Sequence, residues 1–445
     1  MKDMNEIIDL IVSRIKLMQI PMWDVYYKFT DIYENQYRKF DVEITRHAQE
    51  CYYFIRTFYE KGDQFGVGII KANSMEPEEI DLYIKQSQIL AKLNMSNKYS
   101  LPQPGQLYPQ LKTAEAKVIN DPEGVLNEKS EELLNVVSDL KQVKPTFGKL
   151  RIYVSKNGLR NSEELSLESK KTSFYLEFPL KAEYSGKLAE FWGITSVKNS
   201  IQLDFQNRLS KWAEIALDSL TLEVPKSAKA ITAIFPPKIV RNALAKTIGY
   251  HSTGHAFHEK LSRFKKGAKV AKESFSLIDN GIMKDGIAVA NWDGEGNPQR
   301  ANSLINKGAF NEFLFDEKYA ALEKVKSTGN GIRTEDGTIL NSITNLEINA
   351  GSESLEELIE SIKYGIFIEE FSWLNPSEVT GDFGAEIRNA YLIKNGKRTV
   401  AIKGGNLSGN VFEMINAIEG ISKNQEIEEN YKFPFIKFSG LILSA

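Results

Sequence analysis

The sequence predicts an α+β protein, with an N-terminal antiparallel strand meander accompanied by helices and a β-rich mixed C-terminal domain. Three observations support this prediction. Apolar and polar residues alternate in several runs between Trp23 and Ala72, a helical apolar stripe follows from Ser74 to Leu93, and glycines interrupt short apolar runs after Lys260. Strands with a helix laid across them are typical of the α+β class.

The composition is that of a globular protein that folds without disulfide bonds. The chain has 445 residues, of which 42% are hydrophobic and 26% charged, and its one cysteine is Cys51. A single cysteine excludes an internal disulfide framework and a cysteine-rich metal site. The net charge of −3 gives no reason to expect nucleic-acid binding, and no apolar run reaches the ~20 residues of a membrane span. Acidic residues and a broken apolar pattern over Met1 to Met18 are unlike a signal peptide, so we expect a cytoplasmic protein.

Residues 1–93 are predicted to form a first α+β subdomain. Asp3 or Asn5 can cap an opening helix whose apolar stripe ends near Pro21. Short polar links separate the strand-like runs that follow, which favours an antiparallel meander. These runs are Trp23–Tyr33, Arg38–His47, Cys51–Glu60 and Gln64–Ala72. A helix that begins near Ser74 completes the subdomain.

Residues 94–225 are predicted to form a connector and a second α+β subdomain. The stretch up to about Pro122 has no clear period, which is typical of a long ordered connector. The apolar periods that follow predict a helix, two strands and an amphipathic helix. These are Pro122–Lys141, Lys149–Ser155, Ser173–Tyr184 and a helix with the buried face Leu209, Trp212, Ala213, Ala216, Leu217 and Leu220.

Residues 226–445 are predicted to form the β-rich C-terminal domain. A buried strand is predicted at Lys229–Phe235, and the two prolines after it mark the start of a helix that leads into a histidine-rich stretch. Further on, Ser354 and Glu357 make a capping box for a helix that ends at Gly365. A hairpin turn at Asn395-Gly396 separates the first two of the last three strands. These strands are Asn389–Lys394, Arg398–Lys403 and Phe435–Leu443.

Three of the four histidines in the chain fall between Gly249 and Glu259. If that stretch is one helix, His251, His255 and His258 lie at positions i, i+4 and i+7 and share a face. Two interpretations stay open. The imidazoles are either hydrogen-bonded residues of a buried helix or metal ligands, with His258 or Glu259 as the third ligand.

Metal binding is easier to support here than hydrolysis. In an H-E-x-x-H hydrolase, the glutamate that activates the metal-bound water directly follows the first histidine, and Ser252 holds that place in this chain. No Ser-His-Asp or Cys-His set can be assembled from the sequence. Cys51 lies in an aromatic run that is more typical of core packing than of a nucleophile.

Two stretches place unusual polar residues among glycines. Each is either a tight turn or a loop whose amides and side chains hold an extended substrate. Their spacing is that of neither a P-loop nor a dinucleotide fingerprint. The candidate peptide-binding residues in these stretches are Thr328, Gly329, Asn330, Arg333, Thr380, Gly381 and Asp382.

Several motifs along nearly the whole chain resemble the TldD/TldE family, also called PmbA or modulator-of-gyrase proteins and classed as metalloproteases. The resemblance is strongest between Trp292 and Arg333. The matching residues are Asp293, Gly296, Leu304-Ile305-Asn306-Lys307-Gly308, Phe313-Leu314 and Thr328-Gly329-Asn330, followed by Val379-Thr380-Gly381-Asp382-Phe383, Asn395-Gly396, Gly409-Asn410 and Glu413-Met414-Ile415, with Gly66-Val67-Gly68-Ile69 and Arg160-Asn161-Ser162 in the N-terminal half.

The resemblance implies two related subunits that enclose a chamber for unfolded peptides. In TldD-type subunits a helix carries H-E-x-x-x-H, and a cysteine near the C-terminus completes the zinc site. Aligned on Gly254-His255, this chain has Tyr250 in place of the first histidine and His251 in place of the glutamate. No cysteine follows Cys51. The resemblance therefore places only one zinc ligand of the family, His255, in this chain.

Together, the resemblance and the altered motif predict a catalytically silent subunit of the TldE/PmbA type. We expect no cofactor in this chain and zinc in a TldD-like partner, with a homodimer as the alternative assembly. An unfolded peptide is the expected substrate of the complex, and neither nucleic acid nor a membrane is an expected partner. Two alternatives remain open. One is a zinc metallopeptidase with a relocated site on His251 and His255 together with His258 or Glu259, and the other is a peptide- or protein-binding regulator without proteolysis.

Overall fold

The computed structural model describes residues 4–445, and their strands form two large sheets. The predicted helix cap at Asp3 lies outside the described residues, and Asn5 lies within the first helix. Strands of one sheet come from the N-terminal half of the chain, and strands of the other come from the part after residue 227. The predicted α+β class, with a strand meander followed by a β-rich mixed domain, is confirmed.

The first sheet is an antiparallel array of eight strands with helices packed against it. Its elements are α1 (Met4–Leu17), β1 (Trp23–Arg38), β2 (Asp41–Lys61), β3 (Gln64–Ala72), α2 (Pro77–Leu93), β4 (Met95–Asn97), α3 (Ala116–Asn120), α4 (Pro122–Asp139), β5 (Val143–Pro145), β6 (Phe147–Asn161), β7 (Ser166–Tyr184), β8 (Lys187–Val197) and α5 (Phe205–Asp218). The strand order is β4-β3-β2-β1-β6-β7-β5, and β8 pairs with β7.

One strand expectation for this half of the chain is wrong, and the first sheet runs across a predicted domain boundary. The runs predicted at Arg38–His47 and Cys51–Glu60 belong largely to one strand, β2, because the polar residues between them continue as an exposed extended backbone. The predicted boundary between residues 93 and 94 does not separate two sheets. Strand β1 pairs with β2 on one side and with β6 on the other, so the subdomains predicted at 1–93 and 94–225 share one sheet.

Helices pack against the first sheet and form two apolar cores with it. Helices α1 and α2 pack on β1 and β2 through side chains such as Ile8, Ile84 and Val25. Helices α4 and α5 pack on β6 and β7. The predicted connector then crosses to the second half of the chain, where the Tyr108 hydroxyl donates to the Gly296 carbonyl over 2.8 Å.

The second sheet is mixed and has eleven strands. Its elements and those around it are β9 (Ala228–Phe235), α6 (Pro237–His251), α7 (Gly254–His258), β10 (Leu277–Asn280), β11 (Ala301–Asn306), β12 (Ala309–Phe310), α8 (Glu317–Glu323), β13 (Gly331–Arg333), β14 (Ile339–Asn341), β15 (Leu346–Ile348), α9 (Leu355–Glu360), β16 (Tyr364–Phe371), β17 (Asp382–Lys394), β18 (Lys397–Ile402), β19 (Asn406–Asn410), α10 (Val411–Asn416), β20 (Ile418–Glu428) and β21 (Tyr431–Ser444). Strand β9 pairs with both β16 and β21, which closes β21, β19, β17, β16 and β9 into a barrel.

Local signals located several elements of this domain correctly. The capping box of Ser354 and Glu357 is present, and Asn395-Gly396 turns between β17 and β18 with φ values of +48° and +75°. The predicted end of α9 at Gly365 is wrong. The helix ends at Glu360 because Gly365 already pairs with Thr232 as part of β16.

Within residues 4–445, no helix combines the length and the apolar character needed to cross a membrane.

Candidate functional site

The histidine-rich stretch is two helices joined by a sharp break. Helix α6 ends at His251, and Thr253 adopts an extended backbone (φ −80°, ψ 147°) before α7. The Thr253 hydroxyl accepts a hydrogen bond from the Ala256 amide and so caps α7. Leu314 pairs with this break through its amide to the Ser252 carbonyl and its carbonyl to the Gly254 amide. The expectation that three histidines share one helix face is therefore wrong.

His251 is a hydrogen-bonded core residue. Its side chain is fully buried, and its Nδ1 accepts from the Arg263 amide over 3.0 Å, which places the ring proton on Nε2. This Nε2 donates to the Val379 carbonyl, also over 3.0 Å. Burial lowers the pKa of His251, so the ring is neutral. Because both ring nitrogens are engaged, His251 has no lone pair left for a metal.

The other candidate metal ligands, His255, His258 and Glu259, each have different surroundings. The His258 Nδ1 lies 2.7 Å from a Glu323 carboxylate oxygen, which ties α7 to α8. Glu259 follows α7 and is exposed, while the His255 ring packs 5.3 Å from the Tyr319 ring between centroids. Across residues 4–445, no three or more His, Cys, Asp or Glu side chains are arranged to hold a metal ion. The residues at this position do not fit the zinc site that the family resemblance implies.

We expect replacement of His251 by alanine to lower the free energy of unfolding by about 2 kcal/mol, because the fully buried imidazole leaves a cavity and both of its hydrogen bonds are lost. Bound zinc, measured by elemental analysis, should be the same in both proteins. His47→Ala is the matched control, since that imidazole lies on β2 with 38% of its side chain exposed. Equal destabilisation by the two changes, or zinc lost only from the His251 variant, would contradict the core role.

A cavity of about 550 Å³ lies beside α6 and α7, at the position of the altered motif. Tyr250 and His255 line it together with Tyr319 of α8 and Asn341 of β14. The Asn341 Oδ1 accepts the His255 amide over 3.2 Å, while its buried Nδ2 has no hydrogen-bond partner among residues 4–445. Burial raises the pKa of Tyr319 to about 12, so its phenol remains a neutral donor. Such donors suit a ligand rich in carbonyl oxygens.

Most of the first predicted peptide-binding loop holds the fold together. Asn330 is fully buried, where its Nδ2 donates to an Asp279 carboxylate oxygen and its Oδ1 accepts from the Thr328 hydroxyl. Gly329 has a φ of +77°, and a Cβ there would lie 2.5 Å from the Pro298 carbonyl. The Arg333 side chain is 3% exposed and pairs with Asp24 of β1. The cavity beside α7 is lined by other residues.

The second predicted loop lies at the surface near this cavity. Thr380 and Asp382 are exposed, Gly381 has a φ of +80°, and Asn410 donates to both the Thr380 carbonyl and the Asp382 carboxylate. The Val379 carbonyl before the turn is the group that His251 holds. The preceding residue, Glu378, lines the cavity. The structure thus brings the second loop to the altered motif and keeps the first inside the fold.

The sequence interpretation missed Tyr319, Asn341 and Glu378 as lining residues of the cavity. They lie on α8, on β14 and before β17, so they share no local spacing with Tyr250 or His255. The tyrosine at position 250 was the one local signal, because it stands where the family motif has a histidine.

Comparison with known proteins shows which protein family the C-terminal half of the chain matches. Residues 228–444 match the family model of the PmbA/TldA metallopeptidase C-terminal domain. A metalloprotease TldD homolog of Buchnera aphidicola is 31% identical over 229 residues, which are 50% of this chain and 47% of that protein. The chain thus spans about half the length of the first curated relatives that it matches.

Longer matches extend over the N-terminal half as well. A metalloprotease of Methanocaldococcus jannaschii is 23% identical over 403 residues, covering 85% of this chain and 84% of that protein. The crystal structure of TldE from Thermococcus kodakarensis has the same fold, with a TM-score of 0.85, 22% identity and coverage of 98% of this chain and 99% of that one. The motifs and the matched domain agree, and residues 228–444 of the chain belong to the PmbA/TldD family, while the whole chain has the fold of TldE.

Proposed function

We propose that this chain is a TldE/PmbA-like subunit without a catalytic metal of its own, which pairs with a TldD-like metalloprotease chain and helps it to hold unfolded peptides. One observation carries the proposal. At the position of the family's zinc motif, Tyr250 replaces a ligand and both nitrogens of His251 are already hydrogen-bonded. A zinc hydrolase needs about three protein ligands and an activated water.

The cavity beside α7 supports a role in holding peptide. An extended peptide presents a carbonyl and an amide at each residue, and the cavity offers the unpaired Asn341 Nδ2 together with neutral tyrosine hydroxyls. The exposed turn at Thr380–Asp382 lies next to the same wall and can extend the contact. The zinc and the general base of the complex then belong to the TldD-like chain, and this chain supplies binding and orientation.

The test is peptide cleavage by the purified chain with and without a TldD-like chain from the same organism, using an unstructured fluorogenic peptide. We expect no cleavage by either this chain alone or a mixture in which the partner's motif glutamate is replaced. The mixture of intact chains should cleave the peptide, and a chelator should stop the reaction. Light scattering on the mixture should show a complex of the two chains.

Chelator-sensitive cleavage by this chain alone would contradict the proposal. Failure of the two chains to form a complex would contradict it as well, because a silent subunit has no enzyme to assist without a partner.

A further inference from the structure

A second and larger cavity, of about 860 Å³, forms a groove between the two halves of the chain. One wall comes from β8 and α5, and the other comes from α6, β16 and β20. Within the described residues, the groove shares no lining residue with the cavity beside α7. The groove is therefore a separate space, and the proposed function assigns it no role.

Two of the most exposed large apolar side chains of the described residues line this groove. Trp373 is 76% exposed and Ile201 is 82% exposed, and both line it. Trp212 and Phe371 are buried in its floor. Large apolar side chains grouped at the rim of a cavity indicate a binding surface, because leaving them in water has a cost in free energy. A ligand for this groove should thus carry apolar groups.

Within the part of the chain that the structure describes, two buried polar atoms in the groove lack a hydrogen bond, one of them a donor and the other an acceptor. The Arg241 guanidinium donates to the Asn242 side chain, but its Nε has no partner within residues 4–445. The Glu370 Oε2 also has no hydrogen bond there, although the Arg388 Nε lies 3.5 Å away. A buried donor without a partner is unfavourable, so a ligand acceptor would be stabilised at the Arg241 Nε, and a ligand donor could add a hydrogen bond to the Glu370 Oε2.

The charges of the groove argue against a polyanionic ligand. Lys211 and Lys238 line it together with Arg241, but so do Glu369 and Glu426. Mixed charges give a phosphate or nucleic acid no net attraction. A neutral backbone with both carbonyl and amide groups meets these requirements, and apolar side chains on that backbone can cover the exposed tryptophan.

One face of α6 connects the groove with the cavity beside α7. Lys238 and Asn242 line the groove, and Ala245 and Gly249 line the cavity. These four positions follow i, i+4, i+7 and i+11, so they lie on one side of the helix. The distance from the first to the last is about 16 Å at 1.5 Å per residue, which about five residues of extended peptide can span.

We propose that this groove binds an extended segment of an unfolded peptide, which pairs with Arg241 and Glu370 through its backbone and packs an apolar side chain on Trp373. The choice of ligand class rests on the proposed function. The groove then holds one part of the peptide while another part reaches along α6 to the cavity beside α7.

The test is fluorescence anisotropy with the purified full chain and a fluorescein-labelled peptide of about 10 residues, uncharged, unstructured and with two phenylalanines, which is about 33 Å long when extended. We expect saturable binding that Trp373→Ala weakens about tenfold, since covering an exposed aromatic side chain with a ligand commonly carries that much affinity. The double variant Arg241→Met, Glu370→Gln should weaken it by a similar factor. Leu107→Ala, at a side chain that is 94% exposed, is the matched control and should bind like the unchanged chain.

No saturable binding, or equal binding by the unchanged chain and both groove variants, would overturn the proposal. Circular dichroism checks that each variant is folded, and the exposed position of Trp373 makes its replacement compatible with folding. Because binding is measured on this chain alone, its failure is distinct from a failure to pair with a TldD-like chain or to support cleavage.

Discussion

Replacing Asp24 by asparagine should lower the free energy of unfolding by about 3–5 kcal/mol, because two buried guanidinium groups lose the carboxylate that they share. The Asp24 side chain is 1% exposed. Its Oδ2 accepts from the Arg56 Nε over 2.6 Å, and its Oδ1 accepts from the Arg333 Nη2 over 3.2 Å. Asparagine keeps the size of the side chain and removes its charge.

Urea unfolding followed by circular dichroism measures this effect. Glu60→Gln is the control, because it removes one charge from an ion pair with Lys98 at the surface, where 71% of the glutamate side chain is exposed. Surface pairs contribute little, so the control should unfold near the urea concentration of the unchanged chain. If both variants unfold at the same urea concentration, the buried cluster does not stabilise the fold as argued.

The Asp24 cluster is also one of the contacts between the N-terminal and C-terminal halves of the chain. Asp24 and Arg56 lie on β1 and β2, whereas Arg333 lies on β13 of the other half. Because β13 pairs with β14, and Asn341 of β14 lines the cavity beside α7, the loss of this contact should affect that cavity as well as stability.

A second large effect is expected on the pH dependence of stability. Burial raises the pKa of Glu317, at the start of α8, from 4.5 to about 7, and the neighbouring carboxylates of Asp293 and Asp316 act in the same direction. The nearby Asn297 side chain and the charge of Arg56 oppose this shift. The folded chain therefore holds this proton at a pH where the unfolded chain has released it.

The sign of the effect follows from proton linkage. Folding takes up a proton between the two pKa values, so this contribution to stability is complete below about pH 4 and is lost as the pH rises through about 7. At 1.36 kcal/mol per pKa unit, the shift of Glu317 corresponds to roughly 3 kcal/mol. Burial also raises the pKa of Asp316 and of Asp279 to about 6, which adds to the same trend.

Glu317→Gln should remove much of this loss of stability at high pH. The variant should therefore be more stable than the unchanged chain at about pH 8 and about equally stable at about pH 5. Thermal unfolding of both proteins across this range provides the measurement. Glu356→Gln, on the exposed side of α9, is the control and should follow the unchanged chain. If the stability of the variant changes with pH in the same way as that of the unchanged chain, the role of Glu317 is refuted.

The sequence by itself determined the elements whose signals are local. The apolar stripe of α1, the capping box of Ser354 and Glu357 and the turn at Asn395-Gly396 each depend on residues within a few positions of one another. The α+β class followed from such patterns, and the family followed from its motifs. These features could be predicted because backbone preferences and side-chain periods act over short distances along the chain.

Tertiary structure decided the site. The break after His251 depends on Leu314, which pairs with Ser252 and Gly254 across some sixty residues of sequence. The burial of Arg333 depends on Asp24, 309 positions away. Hydrogen-bond partners so distant leave no spacing that a sequence pattern can reveal. Three histidines with helical spacing therefore became a core residue, a cavity wall and a hydrogen-bond partner of Glu323, because contacts from remote parts of the chain determined the backbone between them.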